Sequence, residues 1–263
     1  MWQMCGSWIS FPLPWASPFS QPNTLFLRRT LTSIPKPPKG PRTRVPVLCI
    51  LDLNGTLVHR DKTRRKNYTR PHVKIFLRDL FQRFHVMVWS SAMRHNVSTM
   101  VHTTFGKRRN RIEAVWDRTY CSEQSTKRGD YDTVKDLQRL WDIWDNKNLP
   151  TDDAEDATHL YVNDPEGRRH RFSHVWTPEN TILVDDSLDK MAWQRANGLL
   201  LSSFDDPRVK DLELARLRRY FRTLYHTWRF QGPMDVRSYL AEHPWESYRT
   251  TDVGDETEEN LPE

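Results

Sequence analysis

Four short stretches of this chain are predominantly apolar and are bounded by polar residues: 47–51, 85–89, 181–184 and 199–204. Apolar runs this short suit strands buried on both faces of a parallel sheet. Between them the spacing of apolar residues changes to that of a helix. Val73, Phe76, Leu77, Leu80, Phe81 and Phe84 follow the i, i+3, i+4, i+7 pattern, and Pro71 suits the opening of that helix. Val97, Met100, Val101 and Phe105 mark a second helix, closed by Gly106. Residues 133–144 read as a third, with Lys135 near its start, and residues 209–228 as a long amphipathic fourth. A short helix through Met191 and Trp193 and a last turn or two over 235–242 complete the set. Residues 58–70 are polar and read as a loop or hairpin, 112–120 as one further strand, and 151–177 as a long loop or small insertion. Strand, helix and strand within residues 47–89 make a βαβ crossover. The pattern therefore predicts a three-layer α/β domain of Rossmann-like form with a mainly parallel sheet.

Polar groups stand where these strands end. Asp52 follows the first strand, Ser90 and Ser91 the second, and Asp185 and Asp186 the third. Asn54 and Gly55 after Asp52 favour a tight turn. Ligands of open α/β sheets gather outside the carboxyl ends of the strands, so these residues share one edge. Carboxylates brought together there repel one another unless a cation lies between them, and an all-oxygen ligand set suits Mg²⁺. Lys135 on its helix reaches the same edge, and a metal beside a lysine makes a place for a phosphoryl group. Each residue also has a plainer use. Aspartates serve as turn residues and helix caps, and lysines stand on solvated helix faces.

Composition narrows the setting. The first acidic residue is Asp52, although six basic residues precede it, and nine of the 17 prolines fall within residues 1–46. Residues 1–44 read as a basic, proline-rich leader without long helices, with a composition that also suits a transit segment. Residues 246–263 hold seven acids and one arginine and read as a disordered acidic tail. The domain is expected between them, over residues 45–245. A net charge of +6 favours anionic partners but is too small to imply nucleic acid. The chain carries no clear transmembrane segment. Its three cysteines, Cys5, Cys49 and Cys121, lack pairing or metal-ligand spacing and suit a reducing compartment.

Asp52-Leu-Asn-Gly-Thr56 resembles the first motif of the haloacid dehalogenase superfamily, whose phosphatases read Asp-x-Asp-x-Thr/Val. Leu57-Val-His59, Arg70-Pro71, Phe76-Leu77, Val88-Trp89-Ser90, Lys135-Asp-Leu137 and Ile182-Leu-Val-Asp-Asp-Ser187 are similar to one branch of it. That branch dephosphorylates the C-terminal domain of RNA polymerase II. It also includes the presequence-receptor subunit of the mitochondrial inner-membrane translocase. The resemblance implies that Asp52 is a nucleophile and that Ser90, Thr56 and Lys135 serve the phosphoryl group. It further implies Mg²⁺ held by Asp52, Asp185, Asp186 and the backbone carbonyl of Asn54.

Asn54 is the departure. The phosphatases place an aspartate there, which protonates the leaving group and then activates water, and an amide does neither. The motifs thus carry two expectations. One is a Mg²⁺-dependent phosphoprotein phosphatase, slowed by Asn54, acting on a phosphorylated protein or peptide. The alternative is a catalytically idle translocase subunit that binds presequence peptides and other subunits. The sequence leaves the compartment open between the mitochondrion and the nucleus or cytoplasm.

Overall fold

A computed structural model describes residues 45–250, apart from 62, 65, 126–130, 146–160, 164–168, 172–174 and 232–233. The first strand, β1 (Leu48–Leu51), is buried at every position. It leads to a hairpin of β2 (Val58–Asp61) and β3 (Lys66–Thr69), then to α1 (Val73–Leu80), β4 (His85–Trp89) and α2 (Arg94–Phe105). A two-residue strand β5 (Val115–Trp116) follows, then a second hairpin of β6 (Ser122–Ser125) and β7 (Tyr131–Val134), and α3 (Gln138–Asp145). Short strands β8 (Tyr161–Asn163) and β9 (Arg169–Arg171) pair antiparallel within the expected insertion. The chain closes with β10 (Thr181–Asp185), β11 (Gly198–Leu200), α4 (Glu213–Gln231), α5 (Val236–Glu242) and α6 (Trp245–Arg249).

The central sheet has the order β11-β10-β1-β4-β5, and all its pairings are parallel. Because side chains alternate across a strand, each central strand feeds two cores. Cys49, Leu51, Val86, Val88, Ile182 and Val184 join one, with Phe76, Leu77, Val101, Leu217 and Phe221 of the helices. Leu48, Ile50, Met87, Trp89 and Leu183 join the other, with Leu137, Leu140, Trp141 and Trp176. This is the expected three-layer architecture, and the continuous apolar runs arise from it.

Several boundaries differ from the pattern, each for a local reason. Pro71 does not begin a helix. His72 takes a left-handed conformation (φ 63°) as the N-cap of α1, so the helix starts two residues after Pro71, at Val73. Residues 133 and 134 belong to the β6–β7 hairpin, and α3 starts only at Gln138. Lys135 therefore lies on the link between strand and helix, not on a helix. The strand expected over 112–120 shrinks to Val115–Trp116, because Asp117 caps a single 3₁₀ turn by accepting from Thr119 N–H. The run at 199–204 leaves the ladder after Leu200, and Phe204 N–H crosses to donate to Gly55 O at 2.7 Å.

The C-terminal part of the domain seals one face of the sheet. Phe221 of α4 packs against Phe84 (5.2 Å between rings) and Phe76 (6.3 Å), and Arg218 pairs with Asp79 at 2.7 Å. Trp245 is buried against Tyr220, with ring centroids 5.6 Å apart. The packed chain thus continues through Arg249, past the boundary expected at residue 245. The leader at residues 1–44 and the tail from residue 251 lie outside the described residues.

Candidate active site

The parallel register sets the site. Leu51 lies opposite Val184 on one side and Val88 on the other, so Asp52 emerges beside Asp185 and close to Ser90. Asp52 N–H donates to Val184 O at 3.0 Å, which holds its side chain at the edge. Between the two acids stands Lys135, fully buried, whose Nζ donates to Asp52 Oδ1 at 2.6 Å and to Asp185 Oδ2 at 2.5 Å. The link carrying it is fixed from outside, since Lys135 N–H donates to Lys190 O at 2.8 Å.

Asp186 completes the cluster. Asp52, Asp185 and Asp186 each offer a carboxylate oxygen within 4.8 Å of the others. Opposite ligands of an octahedral Mg²⁺ lie ~4.2 Å apart, so three such oxygens need only small adjustments to share one ion. The charges are closely coupled. Burial pushes the Asp52 carboxyl up to about 7, the Lys135 ammonium opposes that rise, and Asp185 and Asp186 add to it. Burial alone would lower the pKa of Lys135, but the Asp185 and Asp52 carboxylates outweigh it and raise it. Asp186 is raised too, first by burial; hydrogen bonds from Ser203 and Thr56 work against Asp185 there.

The remaining expected residues are close by in different ways. Thr56 is buried, and its Oγ1 donates to Asp186 Oδ1 at 3.2 Å. Ser90 is also buried; its Oγ accepts from Ala92 N–H at 3.3 Å, which leaves its own O–H free to donate. Asn54 is exposed, and its Oδ1 accepts from Arg60 N–H at 3.1 Å. Asp52, Asn54, Ser90, Asp185 and Asp186 all line one open cleft of about 340 Å³, joined by Arg60 and Lys190.

Gly55 makes the crowding possible. Its φ is +90°, and a Cβ built on it would lie 2.1 Å from Asp186 Oδ2. Gly55→Ala is therefore expected to lose about 2–4 kcal/mol, from backbone strain and from the displaced carboxylate. Urea unfolding checks this, and a loss below about half a kcal/mol would mean that the loop is pliant.

Arg70 is the important residue that the pattern did not single out beyond its place in a motif. It is buried, donates to Thr56 O (3.0 Å) and Ser202 O (2.8 Å), and pairs with Asp211 at 2.8 Å. Its guanidinium thus ties the Asp52 loop to the segment after β11. Only its position directly before Pro71 distinguished it from the other cations of residues 60–70.

An acid cluster with its lysine, at the carboxyl edge of a sheet of this order, defines the haloacid dehalogenase class of α/β proteins. Within that class, the family model for NLI interacting factor-like phosphatases matches residues 47–231, and the chain belongs to that family. A relative from Schizosaccharomyces pombe, an uncharacterized FCP1 homology domain-containing protein, is 30% identical over 213 residues, covering 75% of this chain and 77% of its own. Two solved structures, one of a variant of the fission yeast RNA polymerase II CTD phosphatase Fcp1 bound to beryllium fluoride and one of Fcp1, an essential RNA polymerase II CTD phosphatase, each cover 81% of this chain at 11% identity and a TM-score of 0.39. The chain spans 59% and 55% of those two, and a likeness so slight carries no argument. The family model describes phosphatases, and the relative carries an FCP1 homology domain. They lend no support to the translocase alternative, nor to the mitochondrial and transport roles attached to it. Among the described residues, no helix is long and apolar enough to cross a membrane.

Proposed function

We propose that this protein is a Mg²⁺-dependent phosphatase of phosphorylated serine or threonine in proteins or peptides, working through an aspartyl-phosphate on Asp52. The observation that carries the reading is Lys135, buried and bonded at once to Asp52 and Asp185, with Asp186 beside them. A buried ammonium shared by two carboxylates holds the nucleophile still and keeps a positive charge where phosphoryl oxygens would gather.

The residues fit the metal: Asp52, Asp185, Asp186 and the Asn54 carbonyl would hold it. Bound Mg²⁺ would supply positive charge that keeps Asp52 ionised and offsets the charge of the phosphoryl oxygens. An Asp52 oxygen attacks phosphorus, forming the new P–O bond as the bond to the serine or threonine oxygen breaks. Ser90 O–H donates to a phosphoryl oxygen, and Lys135 balances the charge left by the transfer. Asn54 has no proton to give, so the leaving alkoxide takes its proton from water. Water then attacks the phosphoryl group on Asp52 without a base beside it, which makes both halves slow. The open cleft, without a large cap among the described residues, suits a peptide better than an enclosed metabolite.

The test is phosphate release from a phosphoserine peptide, with Mg²⁺ or with chelator, by wild type and Asp52→Asn. Slow turnover that needs Mg²⁺ and disappears in Asp52→Asn is expected; turnover that survives the substitution would refute the nucleophile. Mg²⁺ should also raise the melting temperature, because it binds the folded state alone, and Asp186→Ala should abolish that rise. Since a proton competes for Asp52, whose carboxyl titrates at about 7, the rise should be larger near pH 8 than near pH 5.5.

A further inference from the structure

We propose that Arg60 is a specificity residue of this site, and that the preferred substrate carries a second anionic group beside the phosphorylated residue. That group is a carboxylate or another phosphate. The inference rests on the phosphatase reading above and deepens it by naming the substrate class.

Among the described residues, two cations line the cleft above the acid cluster, Arg60 and Lys190, and they differ in what already neutralises them. Lys190 Nζ is paired with Asp132 and donates to Thr133 Oγ1 at 3.2 Å, so its charge is balanced within the protein. Among the described residues, no carboxylate pairs with the Arg60 guanidinium. The adjacent Asp61 is already engaged, accepting from Arg64 N–H at 2.8 Å with the Arg64 guanidinium at 3.7 Å. Arg60 also faces the cleft yet forms no ion pair with Asp52, Asp185 or Asp186 at its floor. Its natural partner is therefore an anion that arrives with the substrate, set apart from the phosphoryl group bound among the aspartates.

The hairpin fixes the backbone of this residue and aims its side chain. Residues two apart on a strand share a face, and Val58, two before Arg60, is fully buried. Arg60 thus points inward over the sheet edge, whereas His59 turns the other way, against Tyr68 and Phe204. The Arg60 backbone is locked by Asn54 Oδ1 at 3.1 Å, which ties the specificity residue directly to the nucleophile loop. Its guanidinium suits a carboxylate or phosphate through its paired donors.

The experiment uses the full chain with Mg²⁺ and three phosphoserine peptides of equal length. One has neutral neighbours, one has a flanking glutamate, and one has a flanking second phosphoserine. Equilibrium binding by fluorescence anisotropy and kcat/KM for phosphate release are measured for wild type, Arg60→Ala and Arg60→Lys. Wild type should favour the flanked peptides by roughly five- to tenfold over the neutral one. The preference should shrink as salt is raised, vanish in Arg60→Ala and largely persist in Arg60→Lys. The better of the two flanked peptides identifies the anion. No preference in wild type, or a preference that survives Arg60→Ala, would overturn the proposal. If binding shows the preference and no peptide is hydrolysed, the assignment of Arg60 stands and the phosphatase reading fails.

Discussion

Lys135→Met should destabilise the metal-free protein by about 3–5 kcal/mol near pH 8, and by clearly less near pH 5. Lys135 is fully buried, and its two partners, Asp52 and Asp185, are nearly so. Removing one member of a buried charge cluster leaves the others without compensation, which costs more than the cluster ever contributed. The pH dependence follows from Asp52, whose carboxyl is raised from 3.8 to about 7 in the folded protein, by burial first and by its acidic neighbours. Between those values the folded state holds a proton that the unfolded chain has released. The associated stability is present below about 3.8 and is lost as pH rises through about 7. Near pH 5 Asp52 keeps its proton with or without Lys135, whereas near pH 8 the variant must either bury the Asp52 charge without its ammonium or take up a proton, and both cost stability. Methionine keeps the length of the side chain, so packing changes little. Urea unfolding at both pH values with chelator present checks the result, and the double variant with Asp52→Asn should recover part of the loss. An equal loss at both pH values would show that Asp52 and Lys135 are not coupled as their 2.6 Å contact implies.

That cluster also marks how far the sequence could be read. β1, β4 and β10 were legible because strands covered on both faces must be apolar at every position, and few other elements produce so short a run. Their ends were legible for the same reason, since a charge directly after a buried run has only the sheet edge to occupy. Lys135 was harder. The motif Lys135-Asp-Leu137 placed it in the site, but a helical pattern from Val134 onward hid the strand before it. Tyr131–Val134 is stabilised by its antiparallel partner Ser122–Ser125, a contact between segments that no local period records. Arg70 was illegible for a similar reason. Its partners Thr56, Ser202 and Asp211 are spread across the chain, and only folding brings their oxygens to one guanidinium. The cross-link from Phe204 to Gly55 likewise took residues from a strand that their apolar character had suggested. Local pattern reports what each segment buries; it does not report which distant segment claims its polar groups.

Asn54→Asp should raise the rate of phosphopeptide hydrolysis about a hundred- to ten-thousandfold, the range that a positioned general acid–base contributes. The substitution is gentle on structure. Asn54 is exposed, and its Oδ1 accepts from Arg60 N–H at 3.1 Å, a role that one carboxylate oxygen fills equally well. The second oxygen replaces an amide nitrogen that can neither give up nor take a proton usefully. Serine alkoxides are poor leaving groups, so protonation matters greatly in the first half-reaction. Nitrophenolate leaves readily without it, and the gain on nitrophenyl phosphate should be smaller for that half. Water attack on the phosphorylated Asp52 needs a base with either substrate. Wild type should therefore show a burst of nitrophenolate followed by slow release of phosphate, and Asn54→Asp should remove the lag between them. Steady-state and burst kinetics of wild type, Asn54→Asp and the double variant with Asp52→Asn, all with Mg²⁺, separate these contributions. The double variant should be inactive, because in the proposed mechanism a new acid–base cannot act without the Asp52 carboxylate. If Asn54→Asp folds, keeps the Mg²⁺-dependent rise in melting temperature and still hydrolyses no faster, then the site lacks more than one proton carrier. The protein would then bind phosphorylated partners through the same cleft without turning them over.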